Sequence, residues 1–283
     1  MKPKKEITFK FFDYKWKVVP NWAKDTEQMY REWYLERYGY NTLTNLKKFL
    51  KDKKYVLEAG CGLGRDSKMF AQLNDKIHIV AMDQSKNALK VAKEHLKEFK
   101  NCEILQGDVT NFKYPEKFDF ISCDQVIHHT PDPGKTLVHF FDHLNDDGVV
   151  TFSVCKKKNS NRDRVDELIF EKASKMTPKQ LWKFAITVTE FGKALYDLNI
   201  KLGEEVDLQR FVHNNLFRCW YNPDIDFDLC VSSNYDWFSG NPLFDIEDIH
   251  CILGYLDRAN YQYEILRIYE DYATINVSLR KVK

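Results

Sequence analysis

The feature that most constrains this chain is a glycine-rich segment that follows a hydrophobic run near residue 60. Residues 54–58, Lys-Tyr-Val-Leu-Glu, read as a strand, and glycines follow at positions 60, 62 and 64. Glycine adopts positive φ without a steric penalty and has no Cβ, so the backbone can turn sharply and approach a ligand closely. The segment therefore predicts a buried strand that ends in a tight turn of an α/β sheet.

The spacing of these glycines narrows the choice of ligand. The chain has G-x-G-x-G, whereas the dinucleotide fingerprint is G-x-G-x-x-G and holds a pyrophosphate at a helix N-terminus. Glu58, just before the turn, can pair with an α-amino group. S-adenosylmethionine carries an α-amino group and no phosphate, so it fits the segment better than a dinucleotide does. On this motif alone, a strand-to-helix turn of another α/β protein remains the alternative.

Three further apolar runs are each followed by an acid, and the runs lie at residues 77–82, 102–106 and 117–123. The acids are Asp83, Asp108 and Asp124. Asp83 can accept both hydroxyls of a ribose, as acids at such strand ends do in other nucleoside-binding folds. Asp108 can accept the adenine amine while Val109 packs on the ring. Each acid alone could equally be a turn or cap residue, but four successive strand ends carry suitable groups.

The glycine turn and the strand-end acids follow one another in the same order as in class I S-adenosylmethionine-dependent methyltransferases, and residues 54–154 resemble the core of that family. The resemblance implies a Rossmann-like α/β sheet with helices on both faces and an antiparallel C-terminal hairpin. It also implies that Glu58, Gly60 and Gly62 border the methionine part of the cofactor, and that S-adenosylhomocysteine is the product. The family often has aspartate at the position of Glu58. The expected cofactor-binding residues are Glu58, Gly60, Cys61, Gly62, Gly64, Arg65, Asp83, Gln84, Ser85, Asp108, Val109, Asp124 and Gln125.

Residues 125–133 contain the pair His128-His129 and are similar to a signature of bacterial enzymes that act on small molecules, lipids or glycans. Histidine titrates near neutral pH and suits general-base catalysis. The pair follows strand four, at the sheet edge where ligands bind in α/β folds. We therefore predict one of the two as the catalytic base, the alternative being that they only bond the backbone or pack on the adenine. No carboxylate and amide pair follows strand five, so no metal is expected.

The rest of the chain is arranged around this core. Residues 1–53 combine an aromatic-rich segment with two helices, and the aromatic segment is predicted either as a lid over the cofactor or as a strap on the sheet. Residues 155–243 are predicted as a largely helical or irregular insertion that caps the substrate. Residues 244–283 are predicted as a helix and an antiparallel hairpin that complete the core of residues 54–154.

The insertion is expected to determine substrate choice, because it combines aromatic and amide side chains that could line a pocket for a sugar or ring. The same side chains could instead form the small core of the insertion, or bury the interface of a homodimer. Residues 235–238 resemble a short motif near the pocket of related bacterial enzymes. The candidate substrate residues are Trp16, His213, Tyr235, Asp236 and Trp237.

Charge and composition limit the partners. The chain has 43 basic and 42 acidic side chains, and this balance gives no electrostatic argument for a nucleic-acid partner. The Asn-Pro-Pro-aromatic run of nucleobase and glutamine methyltransferases is absent after strand four. The leading hypothesis is therefore methyl transfer to an oxygen or nitrogen of a small molecule, sugar or lipid-type acceptor.

The remaining sequence features bear on location and on rival functions. Seven scattered cysteines without C-x-x-C spacing indicate a reducing compartment, and neither a signal sequence nor a long apolar run is seen, so a cytoplasmic protein without a transmembrane segment is expected. A protein side-chain methyltransferase and a non-catalytic, cofactor-binding regulator or scaffold remain open. The glycine spacing argues against a nicotinamide-dependent oxidoreductase.

Overall fold

A computed structural model describes residues 4–22, 26–156, 158–202, 207–239 and 249–283. They divide into two compact units. The sheet unit comprises residues 20–156 and 245–283, and the helical unit comprises residues 1–19 and 157–244. The boundary predicted at residues 243 and 244 lies outside the described residues.

The helices of the described residues, in chain order, are α1 (Lys4–Val18), α2 (Glu27–Arg37), α3 (Leu43–Leu50), α4 (Arg65–Leu73), α5 (Lys86–Leu96), α6 (Pro133–His143), α7 (Ser160–Ala173), α8 (Pro178–Leu202), α9 (Leu208–Asn215), α10 (Phe227–Ser239) and α11 (Ile249–Arg258). A short 3-10 helix, Ile127–His129, precedes α6. The strands are β1 (Tyr55–Ala59), β2 (His78–Asp83), β3 (Cys102–Gln106), β4 (Phe118–Cys123), β5 (Leu144–Cys155), β6 (Tyr263–Glu270) and β7 (Thr274–Lys281).

The strands form a single seven-stranded sheet in the order β3-β2-β1-β4-β5-β7-β6. The first five strands in this order are parallel, and β7 pairs antiparallel with both β5 and β6. From β1 the chain adds β2 and β3 on one side of the sheet, and it then adds β4 and β5 on the other side, so the strand order changes direction between β1 and β4. Open α/β sheets bind their ligands at this point.

Both faces of the sheet are covered, as the continuous apolar character of the inner strands predicts. On adjacent strands, Val56 and Ile79 pack in one hydrophobic layer with residues of α2, α3 and α4. Their neighbours Leu57 and Val80 point the opposite way, into a layer formed with α6 and α11. The predicted fold, a sheet with helices on both faces and an antiparallel C-terminal hairpin, is confirmed.

The helical unit is built from α1 and α7 to α10 around its own apolar core. The insertion was predicted as largely helical or irregular, and its described residues contain α7 to α10. In α10, Phe227, Val231, Tyr235 and Phe238 recur at helical spacing and pack into this core. The sequence analysis did not give this helix its bounds, because aromatic and amide side chains also occupy its other positions.

Residues 1–53 do not form one element. Residues 4–18 form α1, whose Phe11 packs edge-on against Tyr235 with ring centroids 6.2 Å apart in the helical unit. The described residues from 26 to 53 carry α2 and α3 of the sheet unit, which are the two helices predicted before β1. The roles of lid and substrate cap stay predictions.

Candidate functional site

The tight turn predicted after β1 is present and is tied to β2. The backbone N–H groups of Gly60 and Cys61 both donate to the Met82 carbonyl, at 2.8 and 2.7 Å. Gly60 has φ of +86°, and a Cβ at this position would lie 2.6 Å from the side chain of Val126. A larger residue would therefore both strain the backbone and collide with the loop after β4.

Asp83, at the end of β2, connects the turn to the start of α5. Its Oδ2 accepts the backbone N–H of Gly62 at 2.9 Å, and its Oδ1 accepts that of Ser85 at 2.8 Å. Ser85 in turn caps α5 by accepting the N–H of Ala88 at 3.0 Å. These bonds hold a partly exposed carboxylate at the carboxyl edge of the sheet.

Glu58 lies beneath the same turn and is buried. Its carboxylate accepts the backbone N–H of Ser67 at 2.8 Å and also the Ser67 hydroxyl. The bond satisfies one of the first N–H groups of α4, which lack partners within the helix. Burial, followed by the nearby Asp66, raises the pKa of Glu58 to about 8. Sequence reasoning did not identify Ser67 as its partner.

Asp124, at the end of β4, is surrounded by donors. The Tyr38 hydroxyl donates to it at 2.8 Å, and the guanidinium groups of Arg65 and Arg37 lie 3.7 and 3.9 Å away. Arg65 also forms two hydrogen bonds with Asp66, at 2.7 and 2.8 Å. Burial opposes the charge of Arg65, but Asp66 and Asp124 outweigh it and raise the pKa. Sequence reasoning missed Arg37 and Tyr38, because no local pattern connects α2 with β4.

Gln125 and His128 both depend on Ser153, another residue that sequence reasoning missed. Gln125 has φ of +58°, and its backbone N–H and side-chain amide donate to Ser153 Oγ at 2.7 and 3.0 Å. Nδ1 of His128 bonds the Ser153 carbonyl at 3.1 Å. A non-glycine residue held at positive φ costs about 1–3 kcal/mol, and such residues are more frequent at functional sites.

The two predicted histidines differ in environment. His128 is 2% exposed, whereas His129 is half-buried, and their ring centroids lie 4.1 Å apart. Burial disfavours the imidazolium of His128, but interactions with Cys155 and the Ser153 carbonyl outweigh this and raise its pKa. His129 is therefore the more accessible of the two.

The loop after β3 holds the predicted adenine residues. Oδ1 of Asp108 accepts the backbone N–H of Thr110 at 3.0 Å and its hydroxyl at 2.8 Å, which is the local turn that such an acid often forms. Val109 is buried. The loop adjoins the end of β2, because the N–H of Gly107 donates to the Asp83 carbonyl at 3.1 Å. Gln84 follows Asp83 there, and its carbonyl accepts the Gln106 amide at 3.3 Å.

A family model described as a methyltransferase domain matches residues 50–201, more than half of the chain. The chain belongs to this methyltransferase family. The matched residues include the glycine turn, all four strand-end acids and the histidine pair.

Curated relatives of this chain include mitochondrial ubiquinone biosynthesis O-methyltransferase of Saccharomyces cerevisiae, 29% identical over 155 residues that cover 52% of this chain and 45% of the relative. The ubiquinone biosynthesis O-methyltransferase of Pseudoalteromonas translucida is 28% identical over 129 residues, 44% of this chain and 53% of the relative. The chain thus spans about half the length of the curated relatives it matches.

Among solved structures, the plantazolicin methyltransferase BpumL in complex with S-adenosylhomocysteine aligns over 99% of this chain and 95% of its own, with a TM-score of 0.55 and 13% identity. At that identity the likeness concerns the fold, which is that of a class I S-adenosylmethionine-dependent methyltransferase.

A small cavity of about 130 Å³ lies in the sheet unit of the methyltransferase, beside Arg65 and Asp66. Glu27 and Arg31 of α2 and Gln72 of α4 also line it.

The structure separates the predicted substrate residues of the methyltransferase into two groups within the helical unit. Trp237 Nε1 donates to Asp166 at 3.0 Å, and the carbonyl of His213 accepts the Arg162 guanidinium, which also bonds Asp166. Asp236 instead pairs with Lys15, whose Nζ lies 4.1 Å from the ring of Trp16. Tyr235 is fully buried and donates to the Phe11 carbonyl at 3.0 Å.

In the part of the chain that the structure describes, three or more histidine, cysteine, aspartate or glutamate side chains are nowhere grouped so that they could hold a metal ion. In the same residues, every helix is too short or too polar to cross a membrane.

Proposed function

We propose that this chain binds S-adenosylmethionine at the carboxyl edge of β1, β2 and β3, and transfers the methyl group to an oxygen or nitrogen of a small-molecule, sugar or lipid-type acceptor. The observation that carries the proposal is the bond between the Asp83 carboxylate and the Gly62 N–H, at 2.9 Å. It fixes an acceptor of hydroxyl hydrogen bonds directly beside a turn in which Gly60 leaves no room for a Cβ.

The residues of this edge fit the chemistry of the cofactor. Asp83 offers carboxylate oxygens to the two ribose hydroxyls, which are donors. The Glu58 carboxyl, with its pKa raised to about 8, would be drawn into the ionised form by an ammonium group, because an opposite charge favours the charged state. Val109 contributes an apolar surface beside Asp108 for a planar base.

Bound S-adenosylmethionine supplies an electrophilic methyl group on its sulfonium sulfur. The protein then has to align the acceptor and exclude water, effects that together contribute about 7–11 kcal/mol in well-oriented reactions. An alcohol or ammonium acceptor must also lose a proton. We propose that His129, which is half-buried, accepts this proton as the general base. His128 instead keeps its Nδ1 bonded to the Ser153 carbonyl and positions the 3-10 helix.

The acceptor class is supported by two independent observations. The curated relatives are named as O-methyltransferases of ubiquinone biosynthesis, which act in the synthesis of a small molecule. The formal net charge of +1 provides no general attraction for a nucleic acid.

The test is isothermal titration of the purified chain with S-adenosylmethionine and S-adenosylhomocysteine, with NAD as the control ligand. We expect both sulfur nucleosides to bind and Asp83→Ala to weaken them by about tenfold or more, since it removes a charged acceptor. Asp75→Ala, an exposed acid in the turn before the same strand, is the matched control and should bind normally. Absence of binding by the folded protein, or equal binding by Asp83→Ala, would overturn the proposal.

Transfer itself is tested by incubating the protein with labelled S-adenosylmethionine and a panel of phenols, sugars and amines. Label in an acceptor establishes catalysis. Binding of the cofactor without transfer to any acceptor class would favour a regulatory or scaffold protein instead.

A further inference from the structure

One cysteine differs from the other six of the chain in what surrounds it. Burial raises the pKa of five of them, to about 12 at Cys102 and about 11 at Cys219. The other three are Cys61, Cys123 and Cys230. Such thiols stay protonated at neutral pH and react slowly. The sixth, Cys251, is exposed. Cys155 is half-buried, and its side chain is hydrogen-bonded to the imidazole of His128.

The fold brings this thiol and this imidazole together. His128 lies in the 3-10 helix after β4, and its Nδ1 bonds the Ser153 carbonyl at 3.1 Å. Phe152 and Val154 pack into the layer formed with α6 and α11. Ser153 and Cys155 therefore face the other side of β5, because successive side chains of a strand alternate. His128 is thus anchored to β5 only two residues from the thiol that it meets.

The bond to Ser153 also determines which nitrogen of the imidazole carries a hydrogen. A carbonyl oxygen only accepts, so Nδ1 of His128 donates, and Nε2 is the nitrogen left for the Cys155 side chain. In the neutral imidazole, Nε2 can take the proton of the thiol. A nucleophile, a base and a third group that orients the base form the arrangement that activates nucleophiles in enzymes.

The charges around the pair favour its ionised form. Burial disfavours the imidazolium of His128, but Cys155, followed by the Ser153 carbonyl and Asp124, outweighs this and raises its pKa. The attraction is mutual, because an imidazolium stabilises a neighbouring thiolate as much as the thiolate stabilises the imidazolium. Further charged or titratable side chains on the elements around the pair are His129, Arg37, Lys156, Glu270 and Asp271. Arg37 forms an ion pair with Asp271, and Lys156 forms one with Glu270.

We infer that Cys155 is a reactive thiol activated by His128, and that it is a site at which peroxides oxidise the protein. The thiolate sulfur attacks one oxygen of hydrogen peroxide, and an S–O bond forms as the O–O bond breaks. The departing oxygen takes up the proton held by His128 and leaves as water, while the cysteine is oxidised to a sulfenic acid. Because β5 is parallel to β4, Cys155 lies at the carboxyl edge of the sheet. The inference concerns the sheet unit alone and does not depend on the proposed methyl transfer.

The first test measures the alkylation rate of each cysteine in the intact, folded chain with iodoacetamide, by mass spectrometry of peptides after quenching. At pH 7 an ordinary thiol is only a few per cent thiolate, so Cys155 should react about fivefold or more faster in the unaltered chain than in His128→Gln. Cys251 of α11 is the internal control, and its rate should be the same in both proteins. At about pH 9.5 the two Cys155 rates should agree within about twofold, because the thiol then ionises without the histidine.

Thermal unfolding verifies that His128→Gln is folded at both pH values. A second measurement needs no variant. In the unaltered chain, between about pH 6 and pH 8, the rate of Cys155 should rise less steeply than that of Cys251, because part of its thiolate is already present at the lower pH. Equal Cys155 rates at pH 7 in the unaltered chain and the folded variant, or parallel pH profiles of Cys155 and Cys251, would overturn the inference.

Oxidation is tested with hydrogen peroxide in the presence of dimedone, which captures sulfenic acids as stable adducts. We expect the adduct at Cys155 before it forms at Cys251, and about fivefold slower formation at Cys155 in His128→Gln. If Cys155 gives no adduct, or if Cys155 and Cys251 react at the same rate, Cys155 is not a site of peroxide oxidation and the inference fails.

Discussion

The carboxylate of Glu58 accepts the backbone N–H of Ser67 at 2.8 Å, so an acid at the end of β1 caps the first turn of α4 from across the glycine turn. A motif position associated with ligand binding thus also supports the fold. If a bound ligand moved this carboxylate away, the Ser67 N–H would lose its acceptor, and the free energy of binding would have to exceed the cost of that loss.

Replacement of Glu58 by glutamine should flatten the dependence of stability on pH. Because the pKa of Glu58 is raised to about 8 in the folded protein, its stabilising contribution is complete below the ordinary carboxyl pKa and is lost as the pH rises through about 8. The unfolding free energy of Glu58→Gln minus that of the unaltered chain should therefore be larger at about pH 9 than at about pH 5. Melting temperatures across this range, with the exposed Glu94→Gln as control, provide the measurement; parallel curves would contradict the prediction.

Two glycine-to-alanine changes should have opposite effects. Gly60→Ala places a Cβ against Val126 at φ of +86°, and should destabilise the protein by about 2 kcal/mol or more. Gly254→Ala in α11 meets only the flexible end of Arg258 at 3.3 Å, and should stabilise the protein by about 0.5–1 kcal/mol. Urea unfolding measures both free energies, and equal effects of the two changes would argue against the close approach of the turn to Val126.

His128→Gln should destabilise the protein more in acid than in base. Although burial opposes protonation, Cys155 and the Ser153 carbonyl raise the pKa of His128, so its contribution is full below the ordinary histidine pKa and is lost as the pH rises through the folded value. The loss of stability, measured by urea unfolding, should be greater at about pH 5.5 than at about pH 8.5. The exposed His250→Gln serves as control, and a pH-independent loss would disprove the linkage.

Ser153→Ala should release the strained Gln125. It removes the oxygen that accepts two bonds from Gln125 and should cost about 1–3 kcal/mol, because the backbone N–H is then left without this partner. If the strain orders the cofactor edge, affinity for S-adenosylhomocysteine falls as well. Unfolding and titration calorimetry measure the two effects separately. Ser160→Ala, an exposed serine in α7, should change neither quantity, and unchanged stability of Ser153→Ala would show that Gln125 does not need this support.

The sheet could be predicted from the sequence, because buried parallel strands are continuous apolar runs. The run at residues 77–82 falls within or next to β2, whose inner residues are buried, and the antiparallel hairpin was recognised at the carboxyl-terminal end. The bounds of α10 could not be predicted, because polar side chains and Trp237 stand between the residues that pack into the core and weaken the helical period.

The partners within the candidate site could not be predicted, because each is brought in from another part of the fold. Tyr38 reaches Asp124 across 86 residues, and Ser153 reaches Gln125 across 28. Neither pairing leaves a periodic or local trace in the sequence. The assignment of these residues to cofactor and base stays a prediction for the experiments above.

The helical unit takes its first helix from the chain before β1 and its other helices from the chain between β5 and β6. Phe11 and Tyr235, which bond and pack together, are separated by 224 residues. During translation α1 therefore leaves the ribosome long before its partners exist, while most of the sheet is made in between. Until then its apolar face lacks its partners, so this unit cannot be completed before β1 to β5 have been made, while β6 and β7 of the sheet follow it.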